Sequence, residues 1–301
     1  MQEQPTKPKI IAIVGQTASG KSDLAVILAR KFNGEVISAD SRQVYRGMNI
    51  GTGKITKREM RGVPHHLLDV ASPRSTFTVA QYKKRAERAI NDILRRGKLP
   101  TLCGGTGYYI QAVTKNTSIP AVKPDEALRA RLERTGTPEL FAMLTRLDRR
   151  RAGEIDRHNR HRLIRAIEIA NHLGSVPPLA TSSPYDVLSI GIKTDDTKLK
   201  ERITLRLQAR IRVGMVAEAR RLHSEGVSWK RMEELGLEYK YLALHLQGKL
   251  SRADMEEQLT TAIWQYARRQ KTWFKRDTTI RWVTAQETKK AERLTKEFLR
   301  K

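Results

Sequence analysis

The 301-residue chain has a single cysteine, Cys103. That excludes an intramolecular disulfide framework and any zinc finger built on several cysteines. Long apolar runs are also missing. The first, Ile10 to Val14, is five residues, and no segment approaches the roughly 18 that a membrane-spanning helix needs. The opening MQEQPTKPK lacks the apolar core of a secretory signal, so a cytoplasmic, membrane-free protein is expected. There is no internal repeat and no low-complexity tract. Acidic residues are outnumbered, 32 against 58 basic, which leaves a net charge of +26 spread along the chain rather than gathered in a tail. Such a surface attracts polyanions, nucleic acid among them, although a solvated basic surface gives the same count.

What is present is ordered. Lys9-Ile-Ile-Ala-Ile-Val14 is a β-branched apolar run closed by glycine, which predicts a buried parallel strand. Lys21 to Phe32 has helical spacing, and Glu35 to Ser38 predicts a second strand, so the first 40 residues form a βαβ unit. A helix over 81–96, a strand over 99–103 and strands at 186–192 and 279–283 extend the pattern. The fold class is therefore α/β, a P-loop core with a mostly parallel sheet flanked by helices. Between about 125 and 172 the pattern is helical only, with helices expected at 126–134, 138–147 and 160–173, and the prolines and serines of 177–184 close the stretch. Residues 1–114 and 186–301 are assigned to the core and 115–185 to a helical insertion domain. From 197 to 276 the chain is again mostly helical.

Gly15-Gln-Thr-Ala-Ser-Gly20-Lys21-Ser22 matches G-x-x-x-x-G-K-[ST], with a strand before it and a helix after it. The glycines let the backbone turn its N–H groups inward, the helix N-terminus adds partial positive charge, Lys21 is a mobile cation and the Ser22 hydroxyl is placed to ligate Mg²⁺. A nucleoside triphosphate or an isoprenyl diphosphate fits such a cradle. Asp40 follows the second strand, at the sheet edge where open α/β proteins bind ligands, and can ligate metal, cap a helix or act as a general base.

The segment ISADSRQVYRGMNIGTGK, followed by Pro64-His65-His66-Leu-Leu-Asp69, resembles the tRNA dimethylallyltransferases, also called tRNA isopentenyltransferases. Gly104-Gly-Thr-Gly-Tyr-Tyr109, Arg160-His-Arg-Leu-Ile-Arg-Ala-Ile-Glu168 and Tyr266-Ala-Arg-Arg-Gln-Lys-Thr-Trp-Phe274 extend the likeness, in family order, over nearly the whole chain. The resemblance implies transfer of a dimethylallyl group from dimethylallyl diphosphate to N6 of the adenosine 3′-adjacent to the anticodon in tRNA, with pyrophosphate released and no ATP consumed. It implies Asp40 as the base, with Arg206 and Thr17 beside it in catalysis. It also implies Gly15, Gln16, Thr17, Ala18, Ser19, Gly20, Lys21 and Ser22 as the diphosphate site, with Mg²⁺ on Ser22. On the tRNA side it implies Asp40, Ser41, Arg42, Gln43, Thr106, Arg129, the segment His161, Arg162, Leu163, Ile164 and Arg165, and Tyr239 with Lys240. The anticodon stem–loop would lie on the insertion through backbone contacts, to which Arg160 is a candidate contributor, and the active species would be a monomer.

Two positions depart from the family pattern, Gln16 where proline is common and Glu238 where a glycine usually precedes the tyrosine. A small-molecule transferase or kinase on the same core, and a non-catalytic RNA-binding module, are the competing readings. The insertion and the charge argue against the first, and Asp40 beside an intact phosphate loop argues against the second. His65 and His66 lack metal partners at useful spacing and are expected to pack or hydrogen-bond. Cys103, Trp264, Tyr266, Trp273 and Phe274 are read as packing residues, although the family associates Gln270 and Trp273 with the active-site side of the core.

Overall fold

The structure is a computed structural model that describes residues 7–178 and 182–301. The reading of the N-terminal peptide rests on residues 1–6 and so lies largely outside the described part. The elements begin with β1 (Lys9–Gly15), α1 (Lys21–Lys31), β2 (Gly34–Ser38), α2 (Lys57–Met60), β3 (His65–His66), α3 (Val79–Arg95), β4 (Leu99–Gly104) and α4 (Gly107–Thr114). Four helices follow: α5 (Glu126–Leu132), α6 (Thr137–Leu147), α7 (Arg149–Glu154) and α8 (Arg160–Leu173). The chain then returns through β5 (Asp186–Ile192), α9 (Asp196–Arg212), α10 (Met215–Ser224), α11 (Trp229–Leu235), α12 (Leu237–Leu246), α13 (Arg252–Lys275), β6 (Arg281–Val283) and α14 (Thr288–Arg300). Among the described residues no helix is long and apolar enough to cross a membrane.

All six strands pair in parallel, in the order β3-β2-β4-β1-β5-β6. Alternate residues of β1 serve opposite faces, as the two-residue period of a strand demands. Ile10, Ala12 and Val14 pack with Tyr82, Ile90 and Val113 of α3 and α4, whereas Ile11 and Ile13 pack with Leu24 and Leu28 of α1. A third core, built by α9–α13, closes over Val44, Tyr45 and Met48 of the segment after β2. The sequence reading missed β3, whose two histidines carry too little strand signal to stand out. It also missed α7, which Asp148 caps by accepting from the backbone N of Arg151 (2.8 Å). The last strand starts at Arg281, two residues later than expected, because Asp277 spends its carboxylate on the Thr279 turn.

Compactness divides the chain into two units, residues 7–116 with 183–301, and residues 117–178 with 182. The second unit has its own core of Leu132, Leu140, Leu144, Leu163 and Ile167, all fully buried.

Glu35 places a carboxylate inside the sheet, 1% exposed, where an unpaired charge would be costly. Arg96 answers it with two hydrogen bonds, joined by Lys98 (2.8 Å) and His66 (2.7 Å). Arg96 above all, then Lys98 and His66, holds the Glu35 carboxyl well below the usual carboxylate range, against the opposing push of burial. The cover is thin, since Arg96 and Lys98 are themselves 40% and 33% exposed, so Glu35→Gln is expected to cost about 2–3 kcal/mol, at or below the bottom of the range for breaking a fully buried pair. Because the folded value lies below the unfolded one, this stabilisation is complete above pH 4.5 and is lost as the pH falls from there toward the folded value. Urea unfolding of wild type and variant should therefore differ most near neutrality and converge in acid.

Candidate active site

Three strand ends meet at one edge of the sheet. Val14 pairs with Gly104 and Ser38 with Cys103, so the residues that leave β1, β2 and β4 emerge side by side. These are the loop 15–22, Asp40 with its neighbours, and the turn at 105–107. This is the carboxyl edge at which open α/β sheets bind ligands.

The phosphate loop forms with Gly20 at φ +94°, a left-handed conformation that glycine adopts without strain, immediately before α1. No side chain caps the first turn of α1, so its N–H groups stay free for an anion. Ser19 Oγ is buried inside the loop without a hydrogen-bond partner. Lys21 Nζ rests on the Gln16 carbonyl at 3.3 Å. Burial lowers the pKa of Lys21, an effect that Cys103 and Asp40 oppose and Arg206 reinforces. Lys21 is half-buried at the loop, and Arg206 is exposed. Arg206, on α9, makes no hydrogen bond or ion pair among the described residues. Burial and the neighbouring Arg210 lower its pKa.

Ser22 is exposed at the second position of α1, and no cluster of three or more His, Cys, Asp or Glu able to hold a metal alone occurs among the described residues. Mg²⁺ typically keeps several waters and sits on substrate phosphates with one or two protein ligands, and a cradle with an orphaned hydroxyl suits that habit. The residues fit the ion.

Asp40 is half-buried. Its Oδ1 accepts from the backbone N of Arg42 (2.8 Å) and of Gln43 (3.3 Å), closing the turn after β2, while Oδ2 carries no hydrogen bond among the described residues. The carboxylate thus shapes the turn with one oxygen and presents the other. Thr106 Oγ1 accepts from Ser41 N at 3.0 Å and lies 3.4 Å from Ser41 Oγ, which ties the β2 and β4 ends together. Gln43 Nε2 donates to the Gly53 carbonyl at 3.4 Å.

Two residues of α13 complete the edge. Gln270 is buried, accepts from Thr17 N (2.8 Å) and donates to Gly105 O (2.9 Å), so one amide spans the β1 and β4 loops. A Cβ at Gly105 would overlap that amide, and one at Gly107 would overlap the Trp273 indole, so these glycines are demanded by close approach. Gln16 is buried too, and its Nε2 donates to Ala267 O (3.1 Å), so the residue in the proline position anchors the loop to the same helix. Tyr266, read from sequence as packing, is half-buried and lies within electrostatic reach of Asp40. Burial first, then the Asp40 charge, pushes its hydroxyl up to about 12.

Gln270→Ala should leave Thr17 N without its acceptor and slacken the loop, lowering kcat/KM for the phosphate-bearing substrate by roughly 10- to 100-fold. Gln270→Glu should not rescue it, because a second acceptor would then face the Gly105 carbonyl. Steady-state kinetics over that substrate's concentration checks both.

Several expected contact residues stand differently. Tyr239 is fully buried and its hydroxyl donates to Glu218 Oε1 (2.7 Å), a correction to its reading as an RNA contact; Lys240, its neighbour, is exposed. In the second unit His161 and Arg162 are exposed, but Leu163 and Ile164 are core residues, so their side chains cannot serve as surface contacts. Arg129 forms a two-point pair with buried Glu168 (2.7 and 2.9 Å), which also takes Arg165 (3.2 Å). Arg160 donates to carbonyls at the end of α5, including Leu132 O (2.9 Å). His65 and His66 hydrogen-bond to Val63 O and Glu35, and Cys103 is buried with its thiol pushed up to about 11 by that burial.

A parallel sheet with a phosphate loop at its first strand and a carboxylate at its second defines a P-loop α/β enzyme. A sequence profile described as IPP transferase matches residues 43–277. The tRNA dimethylallyltransferase 2 of Citrifermentans bemidjiense is 44% identical over 284 residues, 92% of this chain and 90% of that protein. The tRNA dimethylallyltransferase 1 of Geotalea daltonii is 44% identical over 279 residues, 91% and 90% of the two chains. The full-length tRNA isopentenylpyrophosphate transferase of Bacillus halodurans superposes with a TM-score of 0.75 at 35% identity, covering 98% of this chain and 97% of that one. A eukaryotic dimethylallyltransferase solved acting on tRNA gives 0.77 at 27% identity, over 92% and 74%. The chain belongs to the IPP transferase family.

Proposed function

We propose that this protein transfers a dimethylallyl group from dimethylallyl diphosphate to N6 of the adenosine next to the anticodon, on its 3′ side, in tRNA, and releases pyrophosphate. The observation that carries the reading is the free Oδ2 of Asp40 beside an uncapped, lysine-bearing phosphate loop, on neighbouring strand ends. Family membership and the names of the relatives support it.

The exocyclic amine of adenine is a poor nucleophile because its lone pair is delocalised into the ring. As N6 attacks the allylic carbon, the N–C bond forms while the bond from that carbon to the diphosphate oxygen breaks. The Asp40 carboxylate takes the amine proton, and the electron pair of the broken bond leaves with pyrophosphate. Loop N–H groups, the Ser19 and Thr17 hydroxyls, Lys21 and Arg206 meet the charge that develops on the leaving group. Mg²⁺, held by Ser22 and the phosphates, would neutralise part of that charge. The adenine must leave its stack to reach a cleft of this kind, and Ser41, Arg42, Gln43 and Thr106 line the rim where it would arrive. The helical unit would hold the anticodon stem–loop, with exposed His161 and Arg162 among its contacts. One chain supplies both the base and the cradle, which suits a monomer acting in the cytoplasm, where tRNA is found.

Incubation with labelled dimethylallyl diphosphate and unmodified tRNA, followed by nucleoside analysis, tests the reading. Label on N6 of the adenosine adjoining the anticodon is expected. Label in free AMP or ATP instead of tRNA would assign the protein to small-molecule transfer.

A further inference from the structure

Arg206 and Arg210 lie one helical turn apart on α9 and flank the same loop. A Cβ on Gly53 would sit 3.6 Å from Arg206 Nη2 and 3.6 Å from Arg210 Nη1. The two guanidinium groups are nevertheless treated differently. Arg206 has no hydrogen-bond or ion-pair partner among the described residues. Arg210 Nη1 donates to the Gly51 carbonyl (2.7 Å) and to Glu238 Oε1 (3.1 Å), with both side chains of the ion pair mostly buried. The loop is held from its other side by Glu218, which accepts from the backbone N of Asn49, Ile50 and Gly51 at 2.8–2.9 Å. Arg210 is not saturated, since its Nε is buried without a partner. Among the described residues Glu238 is thus the only acid paired with Arg210.

We propose that Glu238 is a positioning residue that sets the charge of the diphosphate site. By neutralising Arg210 and pinning it to Gly51, it leaves Arg206 as the one uncompensated guanidinium at that wall. The inference rests on the diphosphate reading above and goes beyond it. Two free arginines would hold the pyrophosphate product too firmly and slow its release, whereas one, with Lys21, suffices for the leaving group. The Arg210 charge already disfavours the charged form of Arg206, and without Glu238 the pair would share an anion between them.

Calorimetric titration with magnesium pyrophosphate tests this without tRNA. Glu238→Gln should bind pyrophosphate roughly 3- to 10-fold more tightly, the order expected for one released charge at partly screened range, and turnover should fall as product lingers. Arg210→Gln combined with Glu238→Gln should return affinity to within about two-fold of wild type. A pair that only stabilises the fold would lower the melting temperature of both variants without tightening pyrophosphate, and that result overturns the proposal. The charge-swapped Arg210→Glu/Glu238→Arg protein keeps a pair and guards against misfolding of the single variant. It should bind pyrophosphate within about two-fold of wild type, because a neutralised pair again leaves Arg206 as the uncompensated guanidinium, and tightening in the swap equal to that of Glu238→Gln also overturns the proposal. Lys21→Ala separates the two levels. If wild type does not bind pyrophosphate, or Lys21→Ala binds it equally well, the diphosphate reading falls and this inference with it. If Lys21→Ala loses binding while Glu238→Gln leaves it unmoved, this inference alone falls.

Discussion

Asp40→Asn is expected to lower the rate of prenyl transfer by about two to four orders of magnitude while leaving pyrophosphate and tRNA affinity within about two-fold of wild type. The asparagine is chosen because Oδ1 would still accept from the backbone N of Arg42 and Gln43, so the turn after β2 should survive. What is lost is the second oxygen as a proton acceptor. The role of Asp40 as a turn cap and its role as a base are therefore separable, as two oxygens of one carboxylate. Single-turnover transfer with saturating tRNA measures the effect. Near-normal rates in this variant would leave Asp40 with the turn alone, and the base would have to be sought elsewhere in the cleft.

Lys21→Ala should weaken magnesium pyrophosphate binding by roughly 10²-fold, the scale of one charge-assisted contact to a phosphate in a protein-lined site. Among the described residues the ammonium has only the Gln16 carbonyl to rest on, so it is free to move onto a ligand. Its depressed pKa gives a second, independent readout. Burial disfavours the charged form, so the free protein should lose this cation on alkalinisation at a pH below the ordinary lysine value of 10.5. Pyrophosphate affinity of wild type should accordingly decline with rising pH before that point, and the Lys21→Ala protein should lack that part of the decline. Titrations across the alkaline range in both proteins check the sign. Equal affinity in the two proteins at neutral pH would mean that the loop does not hold the phosphates.

Much of the sheet was legible because buried parallel strands are short β-branched runs punctuated by glycine. Strands β1, β2, β4 and β5 were found within a residue or so of their bounds. The phosphate loop was legible for the same reason: strand, glycine-rich turn, lysine and helix follow one another without a break from Lys9 to Lys31. Tyr266 misled because its aromatic ring and helical spacing match those of core residues, and spacing does not report that α13 passes along the site. Arg129 and Arg165 are named through the family resemblance and Arg160 as a candidate phosphate ligand; spacing in the chain does not report that Arg160 also donates to carbonyls at the end of α5 and that Arg129 and Arg165 pair with buried Glu168. Tyr239 beside Lys240 could not be told apart from an exposed pair until Glu218 was seen to hold its hydroxyl.

The amino-acid order by itself determined which chemistry is available: a cradle for phosphates, a carboxylate one strand away, and a surplus of positive charge. Those features depend on contacts between near neighbours in the chain, which hydrogen-bonding patterns and side-chain periodicity report directly. Tertiary structure decided how the site is held and how many of its cations are free. Backbone groups at strand ends have no sheet partner, and here they are satisfied from afar, Thr17 and Gly105 by Gln270 and the 49–51 loop by Glu218. The charge on Arg210 is answered by Glu238, 28 residues away, and only the packing of α9 against the neighbouring helices brings them together.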